Sequence, residues 1–133
     1  MRHRRCHAAP RTGFTLIELI VVLAIVGLLA SLVAPRYVRS VENAREASLR
    51  TSLNVMRDAI DKFAADKGRY PASLDELVAK GYLRRIPEDP ITGHGDSWQM
   101  VPPAPDSLMQ GDMADVRSGA AGKGLNGQPY GVW

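Results

Sequence analysis

The chain has 133 residues, 45% of them hydrophobic and 23% charged, with a net charge of +3. That length accommodates one small domain plus a long helix rather than several domains. Four of the 17 basic residues, Arg2, Arg4, Arg5 and Arg11, fall in the first thirteen positions with no acid among them; without these four, 13 basic residues face 14 acidic ones, about −1. The basic balance is therefore a property of this leader and does not describe a nucleic-acid-binding surface. The single cysteine, Cys6, also lies in the leader. Beyond it there is no thiol for a disulfide, so the rest must be held by packing or by assembly.

Phe14 to Ala34 is an apolar run of 21 residues whose only charge is Glu18. As a helix it would extend about 31 Å, enough for a bilayer core of roughly 30 Å. Arginines before such a run stay cytoplasmic, which puts the C-terminal bulk on the other side. A secretory signal peptide has the same order of charge and apolar run. This run is longer than a signal core, although Ala30, Ser31 and Ala34 leave a cleavable signal open. A carboxylate inside hydrocarbon costs about 2.5–3.5 kcal/mol, so Glu18 calls for a partner. Cleavage after Gly13 would make Phe14 a cationic amine, and a neighbouring copy could set that amine against Glu18. The alternative is a carboxylate lying shallow in the interface.

The helix is expected to continue to about Asp66. Leu49, Leu53, Met56, Ile60 and Phe63 recur at spacings of four and three and define one apolar face. Arg45, Glu46, Arg50, Arg57, Asp58, Asp61 and Lys62 fill the remainder. Two heptads are too few for a coiled coil, so this half reads as the spine of a small head with a sheet packed on it. Pro35, lacking an amide hydrogen, predicts a bend or a melted turn. Arg36 and Arg39 read as anchors at the outer headgroups.

Gly68 closes the long helix. Ser73 and Glu76 form a capping-box pattern that starts a short helix, Leu74 to Lys80, stopped by Gly81. Tyr82-Leu83 begins an extended segment, and Pro87 and Pro90 exclude helix after it. Strands are expected at Ser97 to Val101, with Trp98 and Met100 on one side, and at Met113 to Arg117. Ser118 to Trp133 is glycine-rich and reads as a loop, fixed by Tyr130 and Trp133 packing on the head.

Catalytic patterns are weak. His94 stands alone in a glycine-rich turn, Asp89 and Asp96 form no evident acid–base pair, and Gly122-Lys123-Gly124 is too short for a phosphate loop. No enzymatic activity is expected.

Gly13-Phe14-Thr15-Leu16-Ile17-Glu18, with the apolar run behind it, resembles the class III signal of type IV pilins and type II secretion pseudopilins. The resemblance implies an α+β type IV pilin fold: a long N-terminal α-helix, membrane-spanning in its first half, with a small C-terminal head of short helix and antiparallel β-sheet. It divides the chain into a cleaved cytoplasmic leader, 1–13, a transmembrane and assembly helix, 14–34, and a periplasmic head, 35–133, that includes the amphipathic half of the helix. It implies that a prepilin peptidase cuts between Gly13 and Phe14 and methylates the Phe14 nitrogen. It implies that Glu18 directs assembly and that Pro35 kinks the helix.

Gly68-Arg69-Tyr70-Pro71, Pro87-Glu88-Asp89-Pro90 and Trp133 narrow the resemblance to major pseudopilins of type II secretion systems. These imply a single-pass inner-membrane protein that polymerises with itself and with other pseudopilins on an inner-membrane assembly platform, driving protein export through the outer membrane. Nucleic acid is not among the implied partners. The alternatives are a type IV pilus subunit, major or minor, and a minor pilin whose head binds DNA or another ligand. Major pseudopilins typically bind calcium in an aspartate-rich C-terminal loop. Here no acid follows Asp115, and Asp106, Asp112 and Asp115 have no recognisable ligand spacing. Asp112 and Asp115 are weak candidates only, and no metal or cofactor is expected.

Overall fold

The computed structural model describes residues 13–133; Arg2, Arg4, Arg5, Cys6 and Arg11 lie outside the described residues. The element order is α1 (Leu16–Lys67), α2 (Leu74–Ala79), β1 (Trp98–Val101), β2 (Asp115–Ser118) and a 3-10 turn, η1 (Tyr130–Val132). The chain separates into two compact units, the second spanning Arg39–Trp133.

In the first unit, the residues from Gly13 to Val38 are all exposed. Helix α1 begins at Leu16 and continues through Pro35, so the turn at Pro35 is helical rather than melted. The 18-residue apolar window has a mean hydropathy of 2.9, and none of it is buried. It is long and apolar enough to cross a membrane.

The second unit is built on the amphipathic half of α1. Leu49, Leu53, Met56, Ile60 and Phe63 are all buried, as their spacing requires. They join Leu74 and Leu77 of α2, Leu83, Trp98, Met113, Val116 and Tyr130 in one core. The Phe63 and Tyr82 rings meet edge to face, with centroids 5.3 Å apart. Burial of this set is the dominant favourable term in the head. One expected member of the polar face departs from the pattern: Glu46 is buried, 4% exposed.

The caps account for the segment between helix and sheet. Gly68 has a φ of 67°, and its amide donates to Ala64 O, ending α1. Ser73 caps α2 by accepting from the Glu76 amide at 3.3 Å. The Glu76 carboxylate reaches back one residue further than a standard capping box, accepting from Ala72 N at 2.7 Å. Gly81, at φ 79°, supplies the left-handed residue of a Schellman motif: its amide donates to Val78 O, and that of Tyr82 to Leu77 O. The expected extended segment does not begin at Tyr82 and Leu83, because both amides bond back to Leu77 O at the helix end.

β1 and β2 pair antiparallel, with Trp98 opposite Ser118 and Val101 opposite Asp115. Trp98 is buried, and its indole donates to Pro87 O at 2.8 Å. Met100, expected beside it, is 53% exposed although it pairs with Val116 inside the ladder. β2 starts two residues later than expected because the Met113 amide donates to Pro71 O instead of joining the ladder. The tail is largely loop, with an isolated bridge between Lys123 and Pro129 and the η1 turn. Tyr130 is buried and Trp133 packs against the core, as expected.

Candidate processing and assembly site

The N-terminal candidates lie together at the start of α1. Gly13, Phe14 and Thr15 precede the helix. Phe14 is 95% exposed. An enzyme that cuts a peptide needs an accessible, non-helical bond, and the Gly13–Phe14 bond has that setting.

Glu18 also caps its own helix. Its Oε2 accepts from the Thr15 amide at 2.9 Å and from the Thr15 hydroxyl at 3.1 Å, while its own amide donates to Thr15 Oγ1 at 3.3 Å. This is a reciprocal capping box, Thr15 at the N-cap and Glu18 three residues on. A carboxylate there also complements the positive end of the helix dipole. Both bonded contacts use one oxygen. The second, Oε1, has no partner among the described residues, so Glu18 can cap its own helix and still accept from an outside cation. The spacing Thr15-x-x-Glu18 was the available signal.

From Leu16 to Val33 the helix surface is apolar apart from Glu18 and Ser31, and each large hydrophobic side chain is at least 49% exposed. A helix apolar on every face is stable only in lipid or among other apolar helices. This surface suits both.

Head candidates for chemistry are dispersed. His94 and Asp96 are exposed. Asp89 is fully buried, but its oxygens accept from Ile91 N at 2.8 Å, from Thr92 N and from the Ser118 hydroxyl. It is a structural anchor between the proline-rich turn and β2. Asp106 and Asp112 are exposed, and Asp115 is paired with Arg57 at 2.7 Å. Among the described residues no three or more His, Cys, Asp or Glu side chains converge as a metal site.

Two polar clusters went unread in the sequence. Glu46 Oε1 accepts from Leu125 N at 2.6 Å and from the Tyr130 hydroxyl at 3.3 Å. Burial, and secondarily the Glu46 charge, pushes the Tyr130 phenol above the usual tyrosine range. Arg69 donates to Glu76 at 2.6 Å. That bond, aided by the Ala72 amide, lowers the Glu76 carboxyl from 4.5 to about 2.

Residues 9–34 match the prokaryotic N-terminal methylation motif. The chain is also 35% identical over 109 residues to the type II secretion system core protein G of Aeromonas hydrophila, covering 70% of this chain and 74% of that protein. The core protein G of Vibrio cholerae is 33% identical over 108 residues, covering 70% and 72%. The chain belongs to the type II secretion system core protein G family. The Escherichia coli K12 member is 32% identical over 107 residues, 68% of this chain and 72% of that protein. No solved structure matches the chain at a significant level. The family membership agrees with the resemblance drawn from Gly13 to Glu18 and from the head.

Proposed function

We propose that this chain is a structural subunit of the type II secretion pseudopilus, polymerising through its N-terminal helix to drive protein export across the outer membrane. The observation that carries the reading is the methylation motif lying over a helix that is exposed and apolar on all sides, in a chain of the core protein G family. The shared name of the relatives favours the secretion machine over a type IV pilus. A structural subunit needs no catalytic constellation.

In this reading the precursor is held in the inner membrane by α1, with the leader in the cytoplasm and the head in the periplasm. A prepilin peptidase cuts between Gly13 and Phe14 and methylates the new amine. Subunits then leave the membrane on the assembly platform and stack, alone and with other pseudopilins, exchanging lipid contacts for helix contacts. Oε1 of Glu18 accepts the Phe14 amine of an adjacent subunit and sets the register, while Oε2 keeps its own helix capped. Pro35 is the point where a turn melts or bends on assembly, since its missing amide hydrogen leaves one fewer bond to break there.

Glu18→Ala tests the pairing. Membrane insertion and processing at Gly13–Phe14 should persist, read by mass spectrometry as a chain starting at Phe14 with one added methyl. Sheared fibre yield should fall at least tenfold, since about 1.4 kcal/mol of lost contact per subunit already costs that factor. A normal fibre yield would remove Glu18 from assembly.

A further inference from the structure

Between Gly119 and Trp133 the backbone pairs within the tail, through one bridge, a three-residue turn and bonds such as Gly124 N to Gln128 O, while Ala120, Tyr130 and Trp133 pack on the core. Two charged side chains of α1, about three turns apart, add polar ties between this tail and the helix. Glu46 takes the Leu125 amide and the Tyr130 hydroxyl. Gly124 must be glycine for this fit, because a Cβ there would fall 2.5 Å from the Trp133 indole and 3.1 Å from Glu46 Oε1.

Arg57 completes the clasp. Its Nε donates to Asp115 Oδ1 at 2.7 Å, and its Nη2 donates to Val116 O at 3.0 Å and Trp133 O at 2.8 Å. One guanidinium thus gathers a carboxylate and two main-chain oxygens from β2 and the end of the tail. Oxygens of these kinds are what a loop calcium ion would collect. The calcium implied by the resemblance does not fit here. Asp115 is already neutralised by Arg57, its Oδ1 also accepts from Val116 N, and Asp112 is exposed away from any convergent acid group among the described residues.

We propose that Arg57 is the resident cation of the head. It joins α1, β2 and the tail as a bound metal would, so the head is locked without divalent cations and the lock is this side chain. Arginine stays charged at any physiological pH and has the planar fork needed for several oxygens at once. Arg50 supports the same corner, its guanidinium lying 4.4 Å from the centre of the Trp133 ring. The proposal stands independently of the secretion reading.

The test uses the full chain in detergent micelles. Thermal unfolding is followed by the fluorescence of Trp98 and Trp133, and tail opening by trypsin cleavage after Lys123. The unaltered chain should melt within about 2 °C in calcium and in chelator, whereas a saturated calcium site would raise the midpoint by about 10 °C or more. Arg57→Ala should lower the midpoint by about 10 °C and speed cleavage after Lys123 at least tenfold, a local opening of the tail. Arg57→Lys, keeping the charge but losing the fork, should fall between the two. A large calcium shift in the unaltered chain, or an Arg57→Ala chain with unchanged melting and cleavage, would overturn the proposal. Should Arg57→Ala fail to fold, the calcium comparison and the lysine variant still decide it.

Discussion

The two halves of α1 share one backbone geometry and opposite surroundings. From Gly13 to Val38 every described residue is exposed, and its large apolar side chains are among them. After Arg39 the apolar face is covered, and even the polar face supplies inward contacts through Glu46 and Arg57. Among the described residues the side chains of the first half make local hydrogen bonds only, between Thr15 and Glu18 and from Ser31 to Leu28 O. The second half also bonds to distant residues, from 16 positions away, Asp66 to Tyr82, to 84, Glu46 to Tyr130. The lesson is that one continuous helix can carry an exposed apolar stretch and the spine of a domain core in series, distinguished by which residues find partners among the described residues.

Core truncation separates the halves most sharply. Phe63→Ala should destabilise the head by about 3–5 kcal/mol, as expected for a fully buried aromatic. Leu23→Ala, 61% exposed in the first half, should leave head melting unchanged. Equal effects from the two would erase the distinction.

Glu46→Ala comes next. It strips the partners from Leu125 N and the Tyr130 hydroxyl and should cost about 2 kcal/mol in denaturant unfolding of the full chain. A neutral result would return Glu46 to the solvated face on which its sequence position first set it.

The smallest effect is electrostatic. The Glu76 carboxyl is held at about 2 in the folded head against an ordinary 4.5. Its contribution is therefore fully present above about pH 4.5 and is lost as the pH falls toward 2. Because the pair with Arg69 is open to solvent, the change should be small, and Glu76→Gln should flatten it. A stability loss centred near neutral pH would point to other groups.

What the sequence revealed divides along the same line of local against distant contacts. The face from Leu49 to Phe63, the Ser73 cap and the glycine stops depend on neighbours within one or two turns, and they were legible. The roles of Glu46, Arg57 and Asp89 depend on Tyr130, Asp115 and Ser118, which only the fold brings close. A charged residue on a helix reads as solvated until its distant partner is known. Tyr82-Leu83 failed for a local reason: the Schellman bonds after Gly81 claimed the amides that a strand would have used. In the candidate site, Gly13, Phe14 and Glu18 were legible as a motif. Thr15, which holds Glu18 in place, is not visible from the cost of a carboxylate in hydrocarbon, which points to a neighbouring subunit or to the interface.

The central claim is that the exposed half of α1 serves assembly of a secretion pseudopilus. The most direct measurement is deletion of the gene in its native host, scored in one strain for exoprotein release and for surface pili, with the unaltered gene returned as control. The account predicts lost secretion, intact pili and restoration by the returned gene. Lost pili with normal secretion would contradict it and assign the subunit to a pilus.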